Sequence, residues 1–457
     1  MKKLLKTQVL RVCVAMLILM SAVSMAQDRR TVVEPTIPHV CDSLHAVLAL
    51  RGSTLDSEDE GRLDTRRVQQ ALDGCGGGRA LELASGGTAN GFLIGPITIP
   101  PGVTLLIDRG VTVIASRDPR LYDLYPGSCG VVNDQSPGCK PVISITHAPH
   151  AAIMGDGVID GRGGETLLNS NVTWWDLAER ARVSGRQQVP RLIEADYSDD
   201  FTIYRISLRN SPNFHLVFNY GRGFTVWGVK IDTPRKARNT DGVDPGSAED
   251  ITVAHSFIRT GDDNIAIKGS ERGVGYMTLV DNHFYYGHGM SIGSETYGGV
   301  HDILVKDLTL DGPDNGIRIK SNPSRGGLVQ HVEYSNVCIR NSKWPIVLDT
   351  NYNNPGPYTN RDPEYHDIHF NNVRISGGGH LSMQGLDPKH QISVALDGVM
   401  LDNPRDYQLT AANISVNYGP GPVNFRMTGI NVIGSGNPVD GTLASCSAMY
   451  IPFEAHP

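Results

Sequence analysis

The 457-residue sequence predicts an all-β protein, a right-handed parallel β-helix with a short capping helix near its N-terminus. Three observations predict it. From about residue 200, an eight-residue frame that is mostly apolar at positions one, three, six and eight recurs at intervals of 23, 27, 26, 26, 29, 36 and 26 residues. Within each frame the apolar positions alternate as in strands, and β-branched residues are frequent, which argues against helical repeats. A further short apolar stretch follows in several of the same intervals. A fixed period of this length marks stacked coils rather than one globular core.

The chain begins with a segment that reads as an export signal. Lys2, Lys3, Lys6 and Arg11 precede an apolar run at 12–20, and Ser24-Met25-Ala26 offers a small-residue cleavage site. The run is short of the ~20 residues that span a bilayer. Residues 1–26 are therefore expected to be removed, leaving 27–457 as a single domain, secreted or periplasmic, with no membrane attachment. Losing four of the 41 basic residues and none of the 48 acidic ones leaves a net charge of −11. Such a surface has little reason to bind nucleic acid, and an anionic ligand would need a local cluster of cations. No Pro/Ser linker divides the remainder, and a monomer is expected.

Six cysteines remain once Cys13 is lost with the signal, an even set in an exported protein. None of their spacings is a zinc pattern, and no metal or cofactor is expected. Asp64 is the expected N-cap of one helix whose Val68, Ala71, Leu72 and Cys75 share a face and which Gly74 and Gly76 to Gly78 stop. A Cys41 to Cys75 bridge would pin that helix to the segment before it, as a cap over the open end of the solenoid. Cys129 and Cys139 flank a Pro/Gly-containing loop and form the second expected bridge. Cys338 and Cys446 are either a third bridge or two buried thiols.

The frames start at Phe201, Phe224, Ile251, Met277, Ile303, Val332, Ile368 and Val394. Gly228, Asp307, Asn336 and Asn372 stand at their middles, where small or polar residues let the chain bend. The further short strand aligns through Val243, Ile265, Met290, Ile317 and Ile346. That alignment puts Asp241, Asp263, His288 and Asn315 at one level, each two residues earlier. Coils lie ~4.8 Å apart, so these groups become vertical neighbours. Arg318 and Lys320 alternate with inward Ile317 and Ile319 and so face away from the core.

Carboxylates packed this closely repel and need a task that offsets the cost. Hydrolysis of a glycosidic bond is one: a protonated carboxyl delivers a proton to the leaving oxygen while an ionised one activates water. Asp241, Asp262 and Asp263 could instead be turn aspartates or a calcium site, but a histidine on the next coil and cations on the one after favour chemistry. The cations suit a substrate that carries carboxylates, which arginine grips bidentately. Trp174 and Trp175 read as a loop anchor and are not assigned to the site.

Four motifs, Asn239-Thr240-Asp241, Gly261-Asp262-Asp263, Gly287-His288-Gly289 and Arg318-Ile319-Lys320, carry a resemblance to the polygalacturonases of glycoside hydrolase family 28. The likeness spans essentially the whole mature chain and implies a pectin-lyase-like solenoid. It further implies inverting hydrolysis of α-1,4 bonds between galacturonic acid units of pectin. By motif position Asp262 would be the general acid, Asp241 and Asp263 would hold and activate water, and His288 would support them. Asn239, Arg318 and Lys320 would bind substrate, and Tyr352 matches a family tyrosine near the cleavage point. Asn264 stands where many members have a cysteine, while Met290 and Glu295 resemble a bacterial branch containing both endo- and exo-acting enzymes.

Three rivals share parts of this pattern. A rhamnogalacturonan hydrolase would keep the fold and some acids, a pectate lyase would need calcium-binding acids and a basic arginine, and a polysaccharide-binding β-helix would need neither acids nor histidine at one level. The His288 and Arg318/Lys320 motifs favour homogalacturonan hydrolysis.

Overall fold

A computed structural model describes residues 27–51, 54–353 and 359–455 of the chain, so the expected export signal at 1–26 lies outside the described residues. Among the described residues, thirty strands join into one continuous hydrogen-bonded sheet wound into a parallel β-helix, and a separate antiparallel ribbon pairs Val131–Val132 with Gln187–Gln188. The frames stack in the predicted register. Phe224 pairs with Ile251, and the column continues through Met277, Ile303, Val332, Ile368 and Val394. All six of these later side chains are buried, so each coil supplies the apolar surface that its neighbour needs. Aromatic rings stack in the same interior, Phe201 on Phe224 at 5.6 Å and Tyr334 on Phe370 at 5.2 Å between centroids.

The bend in each frame has one conformational cause. Its fifth residue takes a positive φ in every coil: Arg205 63°, Gly228 62°, His255 54°, Asp281 52°, Asp307 54°, Asn336 53°, Asn372 55° and Gly398 69°. Asn, Asp, His and Gly tolerate this left-handed region best, and seven of these eight frames carry one of them there, Arg205 being the exception. The asparagines also bond vertically, with Asn372 Nδ2 donating to Asn336 Oδ1 at 3.1 Å. Two frames break the apolar rule at position six, with Ser256 and Asn282. Both are buried and satisfied: the Ser256 amide donates to Asn282 Oδ1 at 3.0 Å, and Asn282 Nδ2 donates to the Val253 carbonyl at 2.8 Å.

The expected cap is the helix Thr65–Gly74, which buries Val68 and Leu72 against the first coils and is tied by the Cys41–Cys75 bridge. Asp64 occupies the N-cap position but does not cap. Its carboxylate instead accepts from the Leu93 amide at 3.0 Å and from Arg67 Nε at 2.7 Å, tethering the helix to the sheet. A second helix, Trp174–Arg180, went unforeseen although Thr173 and Asp176 form a capping box. Both tryptophans anchor it: Trp174 is buried edge-on to Tyr122 at 5.9 Å, and Trp175 Nε1 donates to the Ser211 carbonyl at 2.9 Å. No helix among the described residues is long and apolar enough to cross a membrane.

Cys129 and Cys139 are bridged, and the alternatives for the last pair resolve in favour of a third bridge, Cys338–Cys446. That bridge returns the C-terminal segment along the outside of the coils, where Arg340 lies over the Tyr450 ring at 4.0 Å and Arg259 over Phe453 at 3.9 Å. It links residues 108 apart, a loop that the chain-entropy account values at about 4–5 kcal/mol. Peptide mapping without reduction is expected to recover three cross-linked pairs. Cys446→Ser is expected to lower stability by about that amount in a denaturant titration, and free thiols at 338 and 446 or an unchanged transition would contradict this.

Candidate active site

Five stacked strands form the floor of the site: Val243–Gly246, Ile265–Ile267, Met290–Gly293, Asn315–Lys320 and Trp344–Asp349. Val243 pairs with Ile265, Ile265 with Met290, Met290 with Ile317, and Ile317 with Ile346, as the alignment required. The turn entering each strand carries the polar groups. A Cβ on Gly289 would lie 2.0 Å from the Asn315 carbonyl oxygen, and φ there is +73°, so only glycine lets the His288 turn sit this close to the next coil. Asn264 ties two turns together through hydrogen bonds. Fully buried, it donates to the Ile258 and Tyr286 carbonyls at 3.1 and 3.2 Å and accepts from the Gly289 amide at 2.9 Å, locking the aspartate turn to the histidine turn.

Asp262 and His288 form a pair. His288 Nδ1 lies 2.9 Å from Asp262 Oδ1, which also accepts from the Asp263 amide at 3.0 Å, while the backbone and side-chain nitrogens of Asn239 approach Oδ2 at 3.3 and 3.4 Å. Burial pushes the Asp262 carboxyl up, but the His288 hydrogen bond outweighs it and the net shift is downward. Burial likewise opposes charge on His288, and the bond to Asp262 overcomes that to raise the imidazole. The crowding of three acids therefore does not raise Asp262 itself in the free site.

Asp263 is clamped. One oxygen accepts from Ser291 Oγ at 2.8 Å and from the Arg318 guanidinium, and the other from Lys320 Nζ at 2.9 Å. Burial would raise this carboxyl, yet Arg318 and Lys320 together hold it far below the ordinary carboxylate range. The two cations do face away from the apolar core, but they are only 8% and 6% exposed and are already engaged by Asp263.

Asp241 is the group that rises. It is buried, its Oδ1 has no hydrogen-bond partner among the described residues, and burial together with Asp244 and Asp262 raises its carboxyl well above the ordinary value. His215, which the motifs do not reveal, fixes its backbone: Nδ1 donates to the Asp241 carbonyl at 3.0 Å and Nε2 accepts from Thr233 Oγ1 at 2.6 Å. Burial lowers that imidazole to about 4, so it remains neutral. Asp244 was also unforeseen. Both of its oxygens lack hydrogen-bond partners among the described residues, burial raises it to about 7, and Lys268 Nζ lies 3.9 Å away. The alternation that turned Arg318 and Lys320 outward could have found both, because Asp244 follows inward Val243 and Lys268 follows inward Ile267.

Asn239, Asp241, Asp262, Asp263, Lys268, His288, Arg318 and Lys320 open onto a cleft of about 850 Å³ that Arg235, Lys236, Arg238 and Arg325 also line. Tyr352 lies on its wall, its ring centroid 5.3 Å from Lys320 Nζ. Phe214, Arg238 and Asn239 are shared with an adjoining cavity of about 450 Å³, so the groove continues past the acids. Asp262, Asp263 and His288 bring potential metal-ligating atoms within 4.8 Å of one another. A dication there would compete with Arg318 and Lys320 for Asp263.

Residues 91–439 match the family model described as glycosyl hydrolases family 28. An endo-polygalacturonase of Pectobacterium carotovorum subsp. carotovorum is 42% identical over 405 residues, 88% of this chain and 96% of the relative. A polygalacturonase of Ralstonia solanacearum is 35% identical over 494 residues, covering 93% of each chain. The solved polygalacturonase from Erwinia carotovora ssp. carotovora superposes with a TM-score of 0.78 at 41% identity, covering 85% of this chain and all 100% of its own. With the coil stack, the acid turns and these matches in agreement over most of its length, the chain belongs to glycoside hydrolase family 28.

Proposed function

We propose that the chain hydrolyses α-1,4 bonds between galacturonate units of polygalacturonate with inversion, cutting within the polymer. Asp262 is the general acid, Asp241 and Asp263 hold the water, and Asn239, Arg318, Lys320 and Tyr352 bind substrate around the scissile bond. The observation that carries this reading is the division of labour among three stacked aspartates, one paired with histidine, one clamped by two cations, one buried with an open oxygen. Asp241 is the better base because burial and the neighbouring carboxyls raise its carboxyl and make it more basic, whereas Asp263 is held far below the ordinary range and its oxygens are occupied. The Asp262–His288 pair keeps one proton between them, and Asp262 passes it to the leaving oxygen.

Elimination by an arginine base fits poorly, since the contact with Asp263 raises Arg318 further from deprotonation against the opposing effect of burial. The relatives named endo-polygalacturonase and a groove that continues past the acids support internal cleavage. We further propose that residues 27–457 act as one catalytic domain, exported and monomeric. Three disulfides among the described residues support an oxidising compartment.

On de-esterified pectin the enzyme is expected to release reducing ends without unsaturated products, and viscosity is expected to fall well before most bonds are cut. Ultraviolet-absorbing products would mean a lyase, and monomer release at constant viscosity would mean action from chain ends. Asp262→Asn keeps the shape and removes the proton, so turnover is expected to fall by roughly 10²–10⁴-fold while substrate still binds. Near-normal turnover, or retention of anomeric configuration in the first product, would overturn the assignment.

Arg318→Met is expected to raise KM and also to destabilise the protein by about 3 kcal/mol, because it leaves the buried Asp263 charge half-compensated. This differs from the expectation for an outward, unengaged cation, whose loss would leave the fold intact. Parallel kinetics and denaturant titration check both effects, and an unchanged KM with unchanged stability would contradict them.

A further inference from the structure

We propose that Lys268 is a positioning residue for hydrolysis, keeping the carboxyl of Asp241 ionised beside the reacting water. The inference rests on the reading of Asp241 as the base. Lys268 follows the strand Ile265–Ile267, bridges to Gly246 in the coil before, and projects into the same cleft as the acids. Its ammonium has three N–H donors, and among the described residues it makes one hydrogen bond, to the Gly293 carbonyl at 3.3 Å. Asp244 Oδ1 and Glu295 Oε2 both stand at 3.9 Å, close enough for strong attraction and too far for a hydrogen bond.

On the other side of this gap are acceptors without donors. Among the described residues, both oxygens of Asp244 and Oδ1 of Asp241 are buried without a hydrogen-bond partner. Buried polar atoms in a native site rarely go unmatched, and a cation with spare donors opposite orphaned carboxylate oxygens is matched by a water or a sugar hydroxyl between them. The neighbouring charges leave Lys268 as the compensating one. Asp241 is faced by Asp244, Asp262, Asp263 and Lys268. Asp244 is faced by Lys268, Asp263, Arg191 and Asp262, and Arg191 is engaged by Glu194. Arg318 and Lys320 are engaged by Asp263.

The sign of the consequence follows from these contacts. A nearby cation lowers a carboxyl pKa, so removing Lys268 raises Asp241, and a base that must be ionised then requires a higher pH. Removing the like charge of Asp244 acts in the opposite direction. The alkaline limb belongs to the Asp262–His288 proton and is expected to stay in place.

The test is the pH dependence of kcat on polygalacturonate for the wild type, Lys268→Met, Lys268→Arg and Asp244→Asn, with melting temperatures for each. Lys268→Met is expected to move the acid limb upward by on the order of one pH unit, Lys268→Arg to restore it, and Asp244→Asn to move it downward. Unmoved acid limbs, or an arginine variant that behaves like methionine, would overturn the role of the charge. If Lys268→Met does not fold, the downward shift in Asp244→Asn decides alone, and its absence overturns the proposal. A wild type that releases no reducing ends would overturn the hydrolase reading itself, whereas a normal wild type with unmoved limbs would remove only this inference.

Discussion

Parallel hydrogen bonding between successive coils sets the distances on which this site depends. Each coil is held one strand spacing, ~4.8 Å, from the next. The pairing of Val243, Ile265, Met290, Ile317 and Ile346 then converts residues tens of positions apart in sequence into a vertical column. A slip of one residue in any coil would turn its outward groups inward and exchange an acid for an apolar side chain. The interior prevents this. Phe224, Ile251, Met277 and their successors are buried on the same register, so the core and the active site share one constraint.

Given that column, the chemistry comes from giving identical carboxyls different surroundings. Asp263 meets a serine and two cations and stays charged. Asp262 meets a histidine, and the bond between them lowers the carboxyl and raises the imidazole against the effect of burial on each. Asp241 meets burial, other carboxyls and an unfilled oxygen, and rises. These assignments follow the logic by which paired carboxylates are driven apart in pKa so that one can give a proton while another takes one. Electrostatic pre-organisation also explains why cations that suit an anionic substrate are built into the free site: Asp263 holds them in place before any substrate carboxylate arrives.

Much of this was legible in the sequence because a solenoid makes period into geometry. The frames at Phe224, Ile251 and Met277 and the level of Asp241, Asp263 and His288 could be read from spacing alone. Side-chain direction within a turn could not. His288 reaches Asp262 rather than Asp263, its predicted neighbour in level, because the turn residues leave the strict alternation of a strand. Asp64 fits the composition of a cap but is diverted to Leu93 by tertiary packing. His215 has no motif around it, and the Cys338–Cys446 bridge depends on a C-terminal segment that lies outside the repeat. Asp244 and Lys268 are readable by alternation, since each follows an inward apolar residue, Val243 and Ile267.

The central claim, that stacking makes three aspartates unlike, is tested most directly by site-resolved carboxyl titration of the free enzyme, using carbon-13-labelled aspartate and single Asp→Asn variants for assignment. The account predicts that Asp241 protonates above the ordinary aspartate range, that Asp262 titrates together with His288, and that Asp263 remains ionised to the lowest pH at which the fold survives. An Asp262 that titrates highest of the three, or an Asp263 that protonates in the ordinary range, would contradict it.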